Sequence, residues 1–178
     1  MRKLRTIEMM RLSVEEFRQA SKMPLTVVLD DVRSMHNVGS VLRTADAFRV
    51  EAVWLCGITP APPAAEIHKT ALGAEDSVAW RRFDSAAEAV ALLRANGRKV
   101  FALEQAEGSV SLHTFAPAAG TGYALVLGNE VKGVAQEVVD LCDGCLEIPQ
   151  YGTKHSLNVS VAAGIAIHHF ASRLLFGA

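Results

Sequence analysis

The sequence predicts a single α/β domain built on a parallel sheet, and three observations support this. Apolar segments alternate with amphipathic helical segments along most of the 178 residues. The apolar segments, such as LTVVL (25–29) and YALVLG (123–128), are hydrophobic at consecutive positions. Strands of a parallel sheet have this pattern because helices cover both faces. Polar, glycine-containing loops follow three of the strands, and such loops bind ligands at one edge of the sheet.

The individual elements follow from caps, breaks and apolar spacing. In SVEE, Ser13 and Glu16 form the pattern of a capping box, so a helix is predicted to start there and to end at Pro24. Asn96 and Gly97 close the clearest amphipathic helix. After the strand at 25–29, the predicted helices are 38–48, 65–75 (with a break at Gly73), 84–97, 134–142 and 156–176, and the predicted strands are 51–57, 77–80, 99–104, 123–128 and 145–149.

The charge balance limits the kinds of partner. The net charge is −1, so a nucleic-acid site must be a local basic patch. Arg2, Lys3, Arg5 and Arg11 lie near the N-terminus, either as a solvated helix face or as an arm that contacts RNA. The sequence has no signal-peptide core and no apolar run of the roughly 18 residues that span a bilayer. A cytoplasmic protein without a membrane partner is expected.

The three cysteines do not predict a redox or metal site. Cys142 and Cys145 form a CxxC that follows a predicted helix, whereas a redox CxxC lies at a helix start, where the dipole lowers the thiol pKa. A zinc site needs two further ligands, and no second pair has suitable spacing. We expect structural or incidental thiols and no metal.

The first polar loop leads into HNVGSVLRTADAF (36–48). Asn37 is a candidate helix cap, and Gly39 leaves space for a backbone or a phosphate to approach, with Arg43 as the cation on the same side. The alternative is a surface ion pair between Arg43 and Asp46, three residues apart on the helix.

The second polar loop is LVLGNEVKGV (125–134). It places Gly128, Asn129 and Glu130 directly after a buried strand, where glycines let backbone groups reach a ligand and Glu130 is an acceptor. The alternative is a tight turn between strand and helix with an exposed carboxylate.

The third polar loop is IPQYGTKHSLNVSVAAG (148–164). Ser156, Asn158 and Ser160 surround the start of the last helix, where amides and polar side chains form a rim for a ligand. The alternative role of Ser156 is a helix cap. None of the three loops contains GxGxxG or GxxxxGK[ST], so the usual signature of a dinucleotide-binding or NTPase site is absent.

Taken together, the three loops resemble, in this order, the motifs of the SpoU (TrmH-like) RNA 2′-O-methyltransferases of the SPOUT superfamily. The segment KTALGAE (69–75) is also typical of that family. The resemblance implies S-adenosylmethionine as cofactor, RNA as substrate, a homodimer and a deep trefoil knot near the C-terminus. It covers a methyltransferase domain at residues 25–178, preceded by an N-terminal helical extension at residues 1–24.

The resemblance also implies roles for particular residues. Arg43 matches the essential arginine of the family, which acts on the ribose hydroxyl. A guanidinium with a pKa above about 12 is a poor base, so we expect it to stabilise the developing alkoxide. Gly39 then gives clearance for the ribose and phosphate. Asn37, Glu130, Ser156 and Asn158 orient Arg43 and the substrate, and the cofactor pocket is lined by Gly128, Ile148, Leu157, Leu103 and Asn129.

The sequence leaves two alternatives for the RNA substrate and two for the roles of the loop histidines. Only about 24 residues precede the predicted domain, which favours tRNA over the alternative, rRNA. A non-catalytic RNA-binding protein on the same fold is the second class of function. His36, His113 and His155 are either auxiliary groups or ordinary loop residues, and His168 and His169 are expected to serve in packing or an interface.

Overall fold

Seven strands form one sheet in the structure, a computed structural model that describes residues 1–176 apart from the side chain of Thr6. The strands are β1 (Met23–Asp30), β2 (Val50–Cys56), β3 (Ala79–Phe83), β4 (Lys99–Leu103), β5 (Val110–Ser111), β6 (Tyr123–Leu127) and β7 (Gly144–Glu147). The helices are a 3₁₀ turn (Thr6–Met9), α1 (Val14–Gln19), α2 (Met35–Ala47), α3 (Ala65–Ala71), α4 (Ala74–Ser77), α5 (Ala86–Ala95), α6 (Gln136–Val139) and α7 (Val159–Leu174).

The sheet is parallel throughout and is covered on both faces, which confirms the predicted α/β class. Its strand order is β3-β2-β1-β6-β4-β7-β5, with every neighbouring pair parallel. Along β1, Val27 and Leu29 pack in one core with α2, α3 and α7, while Val28 packs in a second core with α5 and α6. Consecutive apolar residues therefore arise because alternate side chains enter different cores.

The N-terminal capping box is confirmed, but the predicted role of Pro24 is wrong. The Ser13 hydroxyl accepts from the Glu16 N–H, and the Glu16 carboxylate accepts from the Ser13 N–H. The helix ends at Gln19, and Pro24 is the second residue of β1. The register with β2 shifts between Met23 and Thr26, which accommodates a residue that has no N–H to donate.

Other element boundaries differ from the prediction where tertiary contacts decide them. The strand predicted at 77–80 runs instead over Ala79–Phe83, because residues 74–77 form α4. The short strand β5 was not predicted; its two residues pair only with the edge of β7. The break at Gly73 is confirmed, and there both Leu72 and Gly73 adopt positive φ.

Within residues 1–176, none of the helices has the length and apolar character required to cross a bilayer. In the same range, no group of three or more His, Cys, Asp or Glu side chains is placed to hold a metal ion. Cys142 and Cys145 are free thiols, and burial raises the pKa of both, that of Cys142 to about 12. They stay protonated at neutral pH, unlike the thiolates of redox sites.

Candidate active site

The three polar loops meet at the carboxyl edge of the sheet, as predicted. β1 and β6 are neighbours, and the Asn129 amide after β6 donates to the Asp31 carbonyl after β1 at 2.8 Å. Asn158, after β7, donates to Asn37 at 3.1 Å. Side chains from all three loops are therefore connected by direct hydrogen bonds.

Glu130 connects the second loop to the start of α2. Its carboxylate accepts from the Arg33 N–H, the Ser34 N–H and the Asn37 side-chain amide, each at 3.1 Å. Partial burial opposes ionisation, but these three donors outweigh it and lower the pKa of the Glu130 carboxyl overall. Glu130 is therefore an anion that positions α2, and it is a weak proton acceptor.

Asn158 connects the same network to the last helix. Its amide donates to the Asn37 carbonyl oxygen, while its own oxygen accepts from the Ser160 N–H at 2.9 Å and the Ser160 hydroxyl at 2.6 Å. Asn158 is the N-cap of α7, so the alternative role of Ser156 as the cap is wrong. The predicted cap of α2 is also wrong, because the Ser34 hydroxyl accepts from the Asn37 N–H and Asn37 lies in the first turn.

A cavity of about 630 Å³ lies beside this network. Gly128 is essential to its shape, since a Cβ there would lie 2.0 Å from the Gly133 carbonyl carbon and 2.1 Å from the Val134 nitrogen. The missing side chain lets residues 128–134 fold back on themselves, with paired hydrogen bonds between Asn129 and Gly133. The five residues predicted to line a cofactor pocket all line this cavity: Leu103, Gly128, Asn129, Ile148 and Leu157.

The side chain of Asn129 holds the loop in place. Its oxygen accepts from the N–H groups of Val131 at 2.9 Å and Lys132 at 3.1 Å, and its amide reaches Asp31. These hydrogen bonds fix the backbone of residues 129–132 at this side of the cavity. Such a site suits a small molecule with an apolar body and a few polar groups.

The structure brings four of the five predicted catalytic residues together. Glu130, Ser156 and Asn158 line the cavity, and Asn37 is bonded to two of them. Arg43 lies six residues beyond Asn37 on α2, about 9 Å along the helix axis.

Arg43 has an exposed side chain outside this group. In residues 1–176, its guanidinium makes no hydrogen bond or ion pair. The alternative pair with Asp46 is not formed, since Asp46 accepts from the Ser77 hydroxyl at 2.6 Å. The cation is therefore available to a ligand, and the carboxylate network reaches it only through the backbone of α2.

The predicted role of Gly39 as clearance for a ligand is wrong. A Cβ at this position would lie 2.1 Å from the Thr70 hydroxyl and 2.3 Å from the Ile67 carbonyl oxygen. Both groups belong to α3, which packs directly on α2. Gly39 therefore allows two helices to approach each other.

Sequence reasoning missed several residues that build the site. Ser34 caps α2, and Glu104, directly after β4, accepts from the Val134 N–H at 3.1 Å and the Gln105 N–H at 2.9 Å. The Gln105 amide donates to the His155 carbonyl at 2.7 Å, and both residues line the cavity. A charged residue directly after a strand is the signal that could identify Glu104. The predicted strand at 99–104 includes this residue, whereas β4 ends at Leu103.

The other histidines make local contacts. His36 accepts the Thr70 hydroxyl at its carbonyl, and His113 shares a hydrogen bond with Ser111. His169 bonds the Phe115 carbonyl at 2.7 Å, and His168 packs edge-on against Phe48. The predicted packing role of the last two is confirmed within the chain.

These features define a parallel α/β protein with a small-molecule cavity at the carboxyl edge of its sheet, formed by tightly turned backbone instead of a phosphate loop. Comparison with known proteins identifies the family. Residues 24–168 match the model of the SpoU rRNA Methylase family, and the chain belongs to this family.

Individual relatives show the same similarity. The chain is 33% identical over 147 residues to the 23S rRNA (guanosine-2′-O-)-methyltransferase RlmB of Neisseria meningitidis, covering 83% of this chain and 58% of the relative. The AdoMet-bound rRNA methyltransferase of Sinorhizobium meliloti has a TM-score of 0.80 at 30% identity, covering 89% of this chain and 60% of that one. A structure that concerns 2-OH methylation of C/U34 on tRNA has a TM-score of 0.73 at 31% identity, covering 86% of this chain and 97% of that one.

Proposed function

We propose that this protein is an S-adenosylmethionine-dependent RNA 2′-O-ribose methyltransferase. The observation that carries the proposal is the cavity lined by Glu130 and Asn158, whose side chains are both hydrogen-bonded to Asn37. The cavity fits the cofactor, because the side-chain-free turn at Gly128 leaves backbone groups beside apolar walls. The solved relative from Sinorhizobium meliloti binds AdoMet, which supports the choice. The chain spans 58% of the length of the Neisseria relative.

Some residues of this chain would hold the cofactor, and another would stabilise the charge that develops on the ribose oxygen. S-adenosylmethionine supplies the methyl group on a sulfonium, and Leu103, Gly128 and Ile148 are placed to hold it. As the ribose oxygen attacks the methyl group, its proton would pass to solvent water and S-adenosylhomocysteine would leave, and Arg43 is the exposed cation that would stabilise the negative charge on that oxygen. Glu130 is unsuited as the base because its pKa is lowered and three donors occupy its oxygens. Its role is to fix α2, which carries Arg43.

We propose rRNA as the substrate in preference to tRNA. Curated relatives from Neisseria and Vibrio are 23S rRNA enzymes, at 33% and 36% identity, and they favour the alternative over the tRNA expected from the sequence. tRNA stays the second candidate because of one observation. The structure that concerns C/U34 of tRNA is matched over 97% of its own length.

Labelled S-adenosylmethionine tests both proposals. The purified protein is incubated with deproteinised 23S rRNA and, separately, with bulk tRNA, both prepared from cells that lack the enzyme. We expect label in the rRNA, resistant to alkaline cleavage at one position because a 2′-O-methyl group blocks the hydrolysis. Label in tRNA alone would select the second candidate. Cofactor binding without label in either RNA would favour the non-catalytic RNA-binding protein.

We also propose the knotted, dimeric form of the family, with residues 25–178 as the methyltransferase domain. β6 lies between the earlier strands β1 and β4, and β7 lies between β4 and β5, an order that supports a threaded C-terminal segment. On the last helix, Val161 and Ile165 are 51% and 41% exposed and are spaced four residues apart, and Leu157, just before the helix, is 37% exposed; together they give an apolar surface for a second copy. Sedimentation should give twice the mass of the chain, and Ile165→Glu should reduce it to one chain.

A further inference from the structure

Glu104 is a cavity carboxylate without an assigned role. It follows β4 directly, and its own N–H donates to the Leu146 carbonyl of β7 at 3.0 Å, so the backbone there is fixed by the sheet. One carboxylate oxygen accepts from the Val134 N–H, and the other accepts from the Gln105 N–H. The carboxylate is thus held on both sides at the wall of the cavity.

The second loop is shaped around this carboxylate. A Cβ at Gly133 would lie 2.2 Å from a Glu104 oxygen, and Gly133 has a φ of +69°. A glycine is therefore needed there both for the backbone conformation and for the space that Glu104 occupies. The loop and the carboxylate form one preorganised wall.

Glu104 has more acceptor capacity left than the other carboxylate of the cavity, Glu130. The three donors from the α2 region are distributed over both Glu130 oxygens. In the described part of the chain, each Glu104 oxygen accepts one N–H. Because a carboxylate accepts about four hydrogen bonds, at least one acceptor position remains on each of the two Glu104 oxygens.

We infer that Glu104 binds the two neighbouring ribose hydroxyls of S-adenosylmethionine; this inference rests on the proposed function. Adjacent hydroxyl donors are complementary to the two oxygens of one carboxylate, and the bonds are strengthened by its charge. An acidic residue in the crevice beyond the strand ends is the usual partner of a ribose hydroxyl in parallel α/β nucleotide sites. The neighbouring apolar residues Leu103, Leu127 and Ile148 provide surface for the base.

Calorimetric titration tests the inference without measuring turnover. The ligands are S-adenosylhomocysteine and its 2′,3′-dideoxy analogue, and the proteins are the wild type, Glu104→Gln and the control Glu107→Gln, an exposed carboxylate three residues away. We expect the wild type and the control to bind the dideoxy analogue roughly 10- to 100-fold more weakly than S-adenosylhomocysteine, the range for hydrogen bonds to a charged group. Glu104→Gln should weaken S-adenosylhomocysteine similarly and leave the analogue nearly unchanged.

Three outcomes would overturn the inference. Equal weakening of both ligands by Glu104→Gln means that Glu104 only supports the loop. A wild type that does not discriminate between the ligands means that the hydroxyls are not bound. A weakening by Glu104→Gln that is seen with S-adenosylhomocysteine but disappears with a third ligand, its analogue without the amino group, assigns Glu104 to the ammonium group. If the wild type does not bind S-adenosylhomocysteine at all, the proposed function fails as well, which separates the two failures.

Discussion

The start of α2 and the loop after β6 each contain a glycine beside polar residues, yet the two glycines have different functions. At Gly39 the atoms that exclude a side chain belong to α3, a neighbouring helix. At Gly128 they belong to Gly133 and Val134, in the same loop that lines the cavity. A glycine in a motif therefore indicates close approach of the backbone, but only the structure shows whether the approaching group is a helix or the wall of a site.

Since Gly39 serves the packing of α2 on α3, the residue of α2 that we expect to act in the chemistry is the exposed Arg43. Replacing Arg43 with Ala should lower the rate of methyl transfer at least 10²–10³-fold, the usual loss when a charge-stabilising group is removed. Cofactor affinity should change little, because Arg43 does not line the cavity. Single-turnover transfer to RNA and calorimetric titration measure the two quantities. Arg43→Lys is the matched control and should restore only part of the rate, since it keeps the charge without the planar group. A fully active Arg43→Ala protein would refute the assignment.

Gly128→Ala should act on the site more than on the fold. The added Cβ meets backbone atoms at 2.0–2.2 Å, so residues 128–134 must move and the cavity must change shape. We expect at least a tenfold loss of affinity for S-adenosylhomocysteine with a fall in melting temperature of a few degrees. Gly152→Ala is the control, since a Cβ there meets nothing within 4 Å. Unchanged affinity in Gly128→Ala would show that the turn is not part of the binding site.

Gly39→Ala should show the opposite pattern. Inserting a methyl group between α2 and α3 forces the helices apart, and overpacking of this kind costs about 1–3 kcal/mol. Thermal unfolding should register the loss, while the folded protein should bind S-adenosylhomocysteine with its normal affinity. The control is Gly164→Ala in α7, which has open space around the position and should be neutral or slightly stabilising. Weak binding with normal stability in Gly39→Ala would reverse the distinction between the two glycines.

Local sequence signals predicted the elements well and the details of the site less well. The strand at 25–29 and the capping box at Ser13 depend on burial and on neighbours in sequence, so they were predicted correctly. The caps of α2 and α7 were assigned to the wrong polar residues because several candidates are adjacent and the path of the backbone selects among them. Glu104 was overlooked because its partner Val134 is 30 residues away. The spacing of residues in the sequence contains neither the backbone path that selects a cap nor the contacts between distant segments.

The smallest expected effect concerns the carboxylate that joins the two regions. Glu130 has a lowered pKa in the folded protein, which means that hydrogen bonds stabilise its ionised form there relative to the unfolded chain. Its contribution to stability is complete above the ordinary glutamate pKa of about 4.5 and is lost as the pH falls through the lower folded value. Glu130→Gln should therefore lower the melting temperature slightly at pH 7, and the difference from the wild type should shrink progressively below pH about 4.5. Differential scanning fluorimetry across this range measures the difference, with Glu137→Gln, an exposed carboxylate of α6, as the control. A difference that stays constant at low pH would show that the hydrogen-bonding shape of the side chain, and not its charge, connects the loop to α2.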